Sequence, residues 1–395
     1  MKCDRFRIAS ALTAIGLTAS IFACGGGSGK SSSGSSPANN TQAVIVNAGP
    51  AGNYANGLFT NVTVCAPGTS SCQNIGGVLV DTGSFGLRVL ASALTVSLSQ
   101  QKDSTGNSVG ECAQFADGIV WGPVKIADVK IAGEEATSIP IQVIDQSFAT
   151  IPSSCTSHGS PEETLQQLGA NGILGIGPFI QDCGSACAGS NNPGFYYGCA
   201  GSSCSIITQS GGNQVQNPVA FFADNNGVII DLPAINTSAP TVSGSLIFGI
   251  ETQSDNALNG AQVFTLDNSG NFTTTYNSNN YPGFIDSGSN AYFFLDAATT
   301  GIPTCSGASG FYCPSSPVNL SATNVGQNQA SNAVNFTIDN ANSLFSNSSD
   351  TAFPTLGGPN PSAFDWGLPF FFGRKVYTAI EGKTTSGGTG PYWAY

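Results

Sequence analysis

The sequence predicts an all-β chain of two lobes with a few short helices, and three observations point to it. Apolar residues recur with period two: Ile139, Ile141 and Val143 alternate with polar or turn residues, as do Val334, Phe336 and Ile338. That alternation is the signature of a half-buried strand. Short apolar runs at residues 120–121, 246–248 and 291–295 are bounded by the Gly, Asn, Ser and Asp that turns require. A strand-to-turn segment at residues 77–84 returns at 283–289, one copy in each half. The 395 residues suffice for two domains. With 50 Gly and 40% apolar residues but only 9% charged, the chain reads as turn-rich and well supplied with core, not disordered.

From the N-terminus, Lys2, Arg5 and Arg7 precede an apolar stretch over residues 8–23 that ends at Cys24. A basic start, an apolar centre and a small residue before the cut describe a secretory signal over residues 1–23. Ile21-Phe22-Ala23-Cys24 resembles a bacterial lipobox, which places a lipid on Cys24. An ordinary signal cut further on would leave Cys24 incidental. The Gly/Ser-rich tether that follows at once, through residue 41, favours lipidation, because it holds a folded body about 20 Å from its anchor. The expected location is the bacterial cell envelope, on the outer rather than the inner membrane, facing the periplasm or the surface. Within the tether, GGGSGKS lacks the glycine that a phosphate loop needs at position 24 and has no strand before it, so it is not a nucleotide site.

Beyond Cys24 stand ten cysteines, an even number that in an exported chain reads as up to five disulfides. Cys65 with Cys72 and Cys305 with Cys313 are close enough to staple local loops. The run Cys183, Cys187, Cys199 and Cys204 reads as a nested disulfide pair rather than a metal cluster, and its spacing leaves the connectivity open. Helical signals are confined to residues 161–168 and 371–380. The Asn- and Gly-rich stretch 224–241, crossed by a strand-like run at 228–232, marks the seam between an N-terminal lobe over 42–235 and a C-terminal lobe over 236–395.

Charge and histidine content exclude several chemistries. The formal net charge is −12, and cleavage after residue 23 leaves 8 basic against 22 acidic residues, which argues against a nucleic-acid partner. The single histidine, His158, rules out HExxH metalloproteases and three-histidine zinc sites, and no metal or cofactor is expected. Its place in a polar loop between Cys155 and Pro161 reads as exposed rather than functional. Trp366 and residues 370–372 read as apolar core rather than a ligand groove.

The repeat carries the chemistry. Gly77-Val78-Leu79-Val80-Asp81-Thr82-Gly83-Ser84 returns as Gly283-Phe284-Ile285-Asp286-Ser287-Gly288-Ser289, with a second apolar run after each. One Asp-Thr-Gly alone is an ordinary turn. Two copies in matching settings supply paired carboxylates, which cannot both ionise when brought within about 3 Å and so share one proton. The ionised member then activates water while the protonated member polarises a carbonyl.

On these residues the chain resembles the pepsin-like aspartic peptidases, a two-lobed β fold with one such turn per lobe. The resemblance implies that Asp81 and Asp286 are the catalytic pair. It makes Thr82 and Ser287 the hydroxyls that bridge the loops, and Ser84 and Ser289 the supports of the outer carboxylate oxygens. Gly83 and Gly288 then let backbone amides approach the dyad. Asn171-Gly172-Ile173-Leu174-Gly175-Ile176-Gly177 is similar to the segment under the first aspartate loop, Gly244-Ser245-Leu246-Ile247-Phe248-Gly249 to the strand opening the second lobe, and Trp366-Gly367-Leu368-Pro369-Phe370, leading to Val376-Tyr377-Thr378-Ala379, to that lobe's support and short helix. The lipobox, tether and cysteine-rich insert resemble a bacterial lipoprotein family of uncharacterised function rather than the digestive enzymes.

Departures fall at the cleft. Residues 114–122, QFADGIVWG, lie where the family has its flap hairpin. Phe115 takes the place of the flap tyrosine and Arg88 that of its tryptophan partner, and Gly118 lies in the same flap stretch as a substrate-cleft candidate. Trp121 is a candidate to fill the space. Arg88 either depresses the dyad's pKa values or points to solvent. The expected molecule is a monomeric, membrane-tethered aspartic endopeptidase acting on peptide or protein; the competing expectation is a catalytically weak peptide- or envelope-binding module. The enzyme reading requires carboxylates within hydrogen-bond reach, neither more than about 6 Å apart nor buried behind Phe115 and Arg88.

Overall fold

The computed structural model describes residues 40–189 and 192–395; the signal segment, Cys24 and nearly all of the tether lie outside the described residues. The first lobe runs through β1 (Thr41–Asn47), β2 (Gly57–Cys65), β3 (Cys72–Asp81), β4 (Phe85–Leu90), β5 (Ser99–Gln100), β6 (Ser108–Gln114), β7 (Ile119–Ile131), β8 (Glu134–Ile144) and β9 (Gly172–Ile176). A hairpin of β10 (Tyr196–Ala200) and β11 (Ser203–Ile206) adds to the outside of β6. Next come β12 (Gly227–Leu232) and β13 (Val242–Phe248), which pair with each other, while β13 also pairs antiparallel with β1. The second lobe holds β14 (Val263–Thr265), β15 (Phe272–Tyr276), β16 (Asn279–Ile285), β17 (Tyr292–Leu295), β18 (Val318–Val325), β19 (Ser331–Ile338), β20 (Gly357–Gly358), β21 (Asn360–Trp366) and β22 (Arg374–Ala379). β22 returns to pair with β12, so strands from both ends of the chain close one sheet between the lobes.

Each lobe threads one strand between the two arms of its aspartate turn. In the first, β9 runs parallel to β3 and antiparallel to β4; in the second, β21 runs parallel to β16 and antiparallel to β17. All five residues of β9, GILGI, are buried, as a strand covered on both faces demands. Gly175 is forced by proximity: a Cβ there would lie 2.5 Å from the Phe85 amide nitrogen.

Patterning predicts several elements and misjudges others. β19 alternates as expected, with Val334, Phe336 and Ile338 buried and Asn335 exposed. In β8 the alternation conceals a strand covered on both faces. Gln142 is fully buried between Ile141 and Val143, and its amide donates to the Glu111 and Val120 carbonyls. The helix expected over 161–168 shrinks to Leu165–Leu168, capped by a reciprocal Thr164–Gln167 box, because the Glu162 amide is taken by the Ile119 carbonyl. The helix expected over 371–380 is a strand: one 3-10 turn at Leu368–Phe371 ends at Gly373, whose φ of 76° breaks the helix, and β22 pairs with β12. Trp366 packs against Tyr292, Phe336, Phe364 and Phe370, the core role that composition suggested.

The ten cysteines form five disulfides. Cys65–Cys72 and Cys305–Cys313 close local loops as expected. The cysteine run corrects the nested arrangement: Cys183–Cys187 and Cys199–Cys204 lie side by side, the latter facing across the β10–β11 hairpin. The long bridge is Cys112–Cys155, which ties β6 to the short helix Ser153–Thr156 over 43 residues. Replacing both with alanine is expected to cost about 2–4 kcal/mol, measured by denaturant unfolding. An unchanged midpoint would show that the bridge contributes nothing.

Candidate active site

The two aspartate turns meet through their own hydroxyls. The Thr82 amide donates to Ser287 Oγ at 3.1 Å, and the Ser287 amide returns a bond to Thr82 Oγ1 at 2.9 Å. Each hydroxyl then donates across to the opposite strand: Thr82 to the Ile285 carbonyl at 3.1 Å and Ser287 to the Val80 carbonyl at 2.8 Å. Both residues are fully buried, so all four groups would lose water without replacement if the pairing were broken.

This lock brings Asp81 and Asp286 onto one donor. The Gly83 amide lies 2.9 Å from Asp81 Oδ1 and 3.1 Å from Asp286 Oδ1, and the Gly288 amide donates to Asp286 Oδ1 at 2.7 Å. Only glycine fits at 288, since a Cβ would sit 2.6 Å from Asp81 Oδ1. Ser84 Oγ donates to Asp81 Oδ2 at 2.6 Å, and Ser289 Oγ bonds Asp286 Oδ2 at 2.9 Å. The structure thus assembles Asp81, Thr82, Gly83, Ser84, Asp286, Ser287, Gly288 and Ser289 into one buried cluster with near-twofold symmetry. Sequence reasoning missed Asp365 on β21, whose Oδ2 lies 2.5 Å from Ser289 Oγ. The lone acid inside an otherwise apolar run before Trp366 was the available signal.

Arg88 does not point to solvent. It is 2% exposed and donates to the Phe85 carbonyl, to Glu111 at 2.5 Å and to Asp182 at 2.9 Å while lining the cavity beside Gly83 and Ser84. Tyr196 completes the network, donating to Asp182 and accepting from the Val215 amide. Burial, reinforced by Glu111, pushes the Asp182 carboxyl well above the usual range despite Arg88. Burial lowers Arg88, but Glu111 and Asp182 outweigh it and leave the guanidinium raised. By favouring the neutral form of Asp182, burial lowers the net charge that the Arg88 network carries into the interior.

The flap hairpin of β6 and β7 turns at residues 115–118, where the Phe115 amide donates to the Gly118 carbonyl. Phe115 is buried with Phe59, Leu79 and Leu168, and its ring lies 5.9 Å from the Arg88 guanidinium carbon. Gly118 packs on the 159–162 segment; a Cβ there would meet the Ser160 carbonyl at 2.6 Å. Trp121 does not fill the cleft: it packs edge-on against Tyr197 and donates to the Ala149 carbonyl. His158 is exposed, as expected. Asp81 and Asp286 are themselves fully buried, and Phe115 and Arg88 both line the cavity beside Gly83 and Ser84, the covering that counts against ready access to the pair. The cavity beside them, lined among others by Gly83, Ser84, Phe85 and Phe115, measures only ≈ 60 Å³, about two waters. Larger grooves of ≈ 630 and ≈ 730 Å³ take no lining from either aspartate loop.

The fold and the paired turns define the class: this is a pepsin-like, two-lobed β protein. An aspartic proteinase from Irpex lacteus superposes with a TM-score of 0.51 over 90% of this chain and 96% of that chain, at 16% identity, a likeness of fold. The chain belongs to the family described as "Protein of unknown function (DUF3443)", whose model matches residues 36–395. No curated protein matches the sequence.

Two predictions follow from this geometry. Thr82→Val removes the acceptor of the buried Ser287 amide and the donor to Ile285, and is expected to cost about 1–3 kcal/mol in unfolding free energy. A stability within error of wild type would refute the role given to the lock. Burial, with Asp145 adding to it, pushes Glu163 up to about 7. A carboxyl raised on folding binds its proton more tightly in the native state, so its stabilising effect is full below its unfolded pKa and lost as pH rises toward 7. Glu163→Gln is therefore expected to flatten the decline of Tm between about pH 5 and 7 and to raise Tm at pH 8. Parallel Tm profiles for the two proteins would contradict this.

Proposed function

We propose that this chain is an aspartic endopeptidase of the bacterial cell envelope, tethered through a lipid on Cys24 and working as a monomer on peptide or protein. The observation that supports it above all is the convergence of Asp81 Oδ1 and Asp286 Oδ1 on the single Gly83 amide. Two carboxylates so placed share a proton. The ionised member takes a proton from a water that attacks the scissile carbonyl carbon, while the protonated member donates to the carbonyl oxygen. The resulting gem-diol collapses as a proton reaches the amide nitrogen and the C–N bond breaks. Ser84 and Ser289 hold the outer oxygens so that both carboxyls stay oriented through the cycle.

Purified protein is expected to cleave an unfolded substrate at acidic to neutral pH, and Asp81→Asn or Asp286→Asn to lower kcat by about a thousandfold or more. Cleavage unaffected by either change would sink the mechanism. Cys24→Ala is expected to move the protein from the membrane to the soluble fraction; a variant that still sediments with membranes would refute the anchor.

A second reading, a pepsin-like binding module with little or no catalysis, draws support from the flap. β10 pairs along β6, Cys112–Cys155 fixes the base, and Ile119 exchanges backbone bonds with Ser160 and Glu162. With the dyad fully buried, substrate entry demands movement of a hairpin tied at several points. Peptide binding without product at any pH would favour this reading over the peptidase.

A further inference from the structure

The strands threaded beneath the two aspartate loops differ in one ionisable position. In the first lobe, the strand threading the loop places Ile173 opposite Leu79; in the second, it places Asp365 opposite Phe284. Ile173 is fully buried, and Asp365 is 2% exposed. Ser84, the first lobe's hydroxyl, serves Asp81. Its counterpart Ser289 stands between two carboxyls, 2.9 Å from Asp286 Oδ2 and 2.5 Å from Asp365 Oδ2.

A serine hydroxyl carries one proton and so donates to one of these oxygens. The second contact is a hydrogen bond only if the other carboxyl brings a proton of its own. Two ionised carboxylates around one hydroxyl would set lone pair against lone pair at hydrogen-bond distance. The surroundings decide where the proton resides. Across the flanking strands Asp365 faces Phe284 and Phe293. The titratable residues of those strands, Tyr281 and Tyr292, lie on the opposite face, against Phe364 and Trp366. The remaining acids in this hydrogen-bonded set are Asp286, through Ser289, and Asp81, through the Gly83 amide. A carboxyl sandwiched by phenylalanines resists ionisation, whereas Asp286 accepts amide protons from Gly83 and Gly288 that stabilise its charge.

Resting on the peptidase reading of the dyad, we propose that Asp365 is a positioning residue for the reaction. It holds a proton and donates it to Ser289, which donates in turn to Asp286 Oδ2. This relay fixes Asp286 as the ionised member that takes the proton from water and leaves the shared proton with Asp81. No net proton is consumed at Asp365, which keeps its O–H throughout. The first lobe, with Ile173, has no equivalent, so the asymmetry of roles is written into one strand position.

The experiment compares wild type, Asp365→Ile (the first lobe's residue) and Asp365→Asn (which retains a donor). It uses kcat/KM against pH on an unfolded substrate and carboxyl carbon NMR titration of each folded protein. Asp365→Ile is expected to raise the Asp286 pKa and move the acid limb upward by about one pH unit, roughly tenfold in kcat/KM at its foot. Asp365→Asn is expected to keep the limb in place. Among the carboxyls that stay protonated at neutral pH in the wild-type spectrum, one signal vanishes in Asp365→Ile. An Asp286 titration identical in wild type and Asp365→Ile overturns this inference, even if the protein cleaves. A titration that shifts as stated in a protein that never cleaves upholds the relay and overturns the peptidase reading.

Discussion

The exchange of amide and hydroxyl between Thr82 and Ser287 is the interaction on which the rest of the molecule hangs. These bonds join the two aspartate turns symmetrically, and each lies at the bottom of a strand already clamped by its neighbours, β9 in one lobe and β21 in the other. The lobes are therefore registered to each other at the one place where two carboxylates must coincide. Glycine at 288 follows from that registration rather than from backbone freedom, since the Asp81 carboxylate occupies the space a side chain would fill.

The flap region shows how an insertion changes what a shared fold can do. In this chain the outer flap strand is not an edge: β10 and β11 extend the sheet beyond it, and a buried Arg88–Glu111–Asp182–Tyr196 network pins its base to the lobe. Burial disfavours uncompensated charge, and by favouring the neutral form of Asp182 it lowers the net charge that this network carries. Buried polar contacts and the Cys112–Cys155 disulfide thus tie the covering hairpin to the lobe.

The pairing of the two turns was legible in the sequence because Asp81-Thr82-Gly83-Ser84 and Asp286-Ser287-Gly288-Ser289 are short, nearly identical strings. The all-β character was legible too, from alternation in β19 and from turn residues. What escaped was long-range. The segment 371–380 carries helix-compatible residues, yet its pairing with β12 across the lobe seam outweighs local preference. Arg88 was read against two alternatives, solvent or dyad, because its partners Glu111 and Asp182 lie 23 and 94 residues away. Asp365 escaped for the same reason: its meaning comes from Ser289, 76 residues earlier.

A common thread links the buried acids outside the dyad. Asp182 and Glu163 are both held toward the protonated form by burial, one within the flap's anchoring network and the other beside the segment the flap rests on. Asp365, in the role inferred for it, holds a proton beneath Ser289 in the second lobe. Each of these groups stabilises the native state more at acid than at alkaline pH. The chain has 23 acidic residues, 11 basic ones and a single histidine, so carboxyls supply much of the polar chemistry available to its interior. Paired aspartates draw on the same chemistry, because a shared proton must be available. On the peptidase reading, the acid-favouring interior and the proposed need for a shared proton follow from one choice of side chain, the carboxyl.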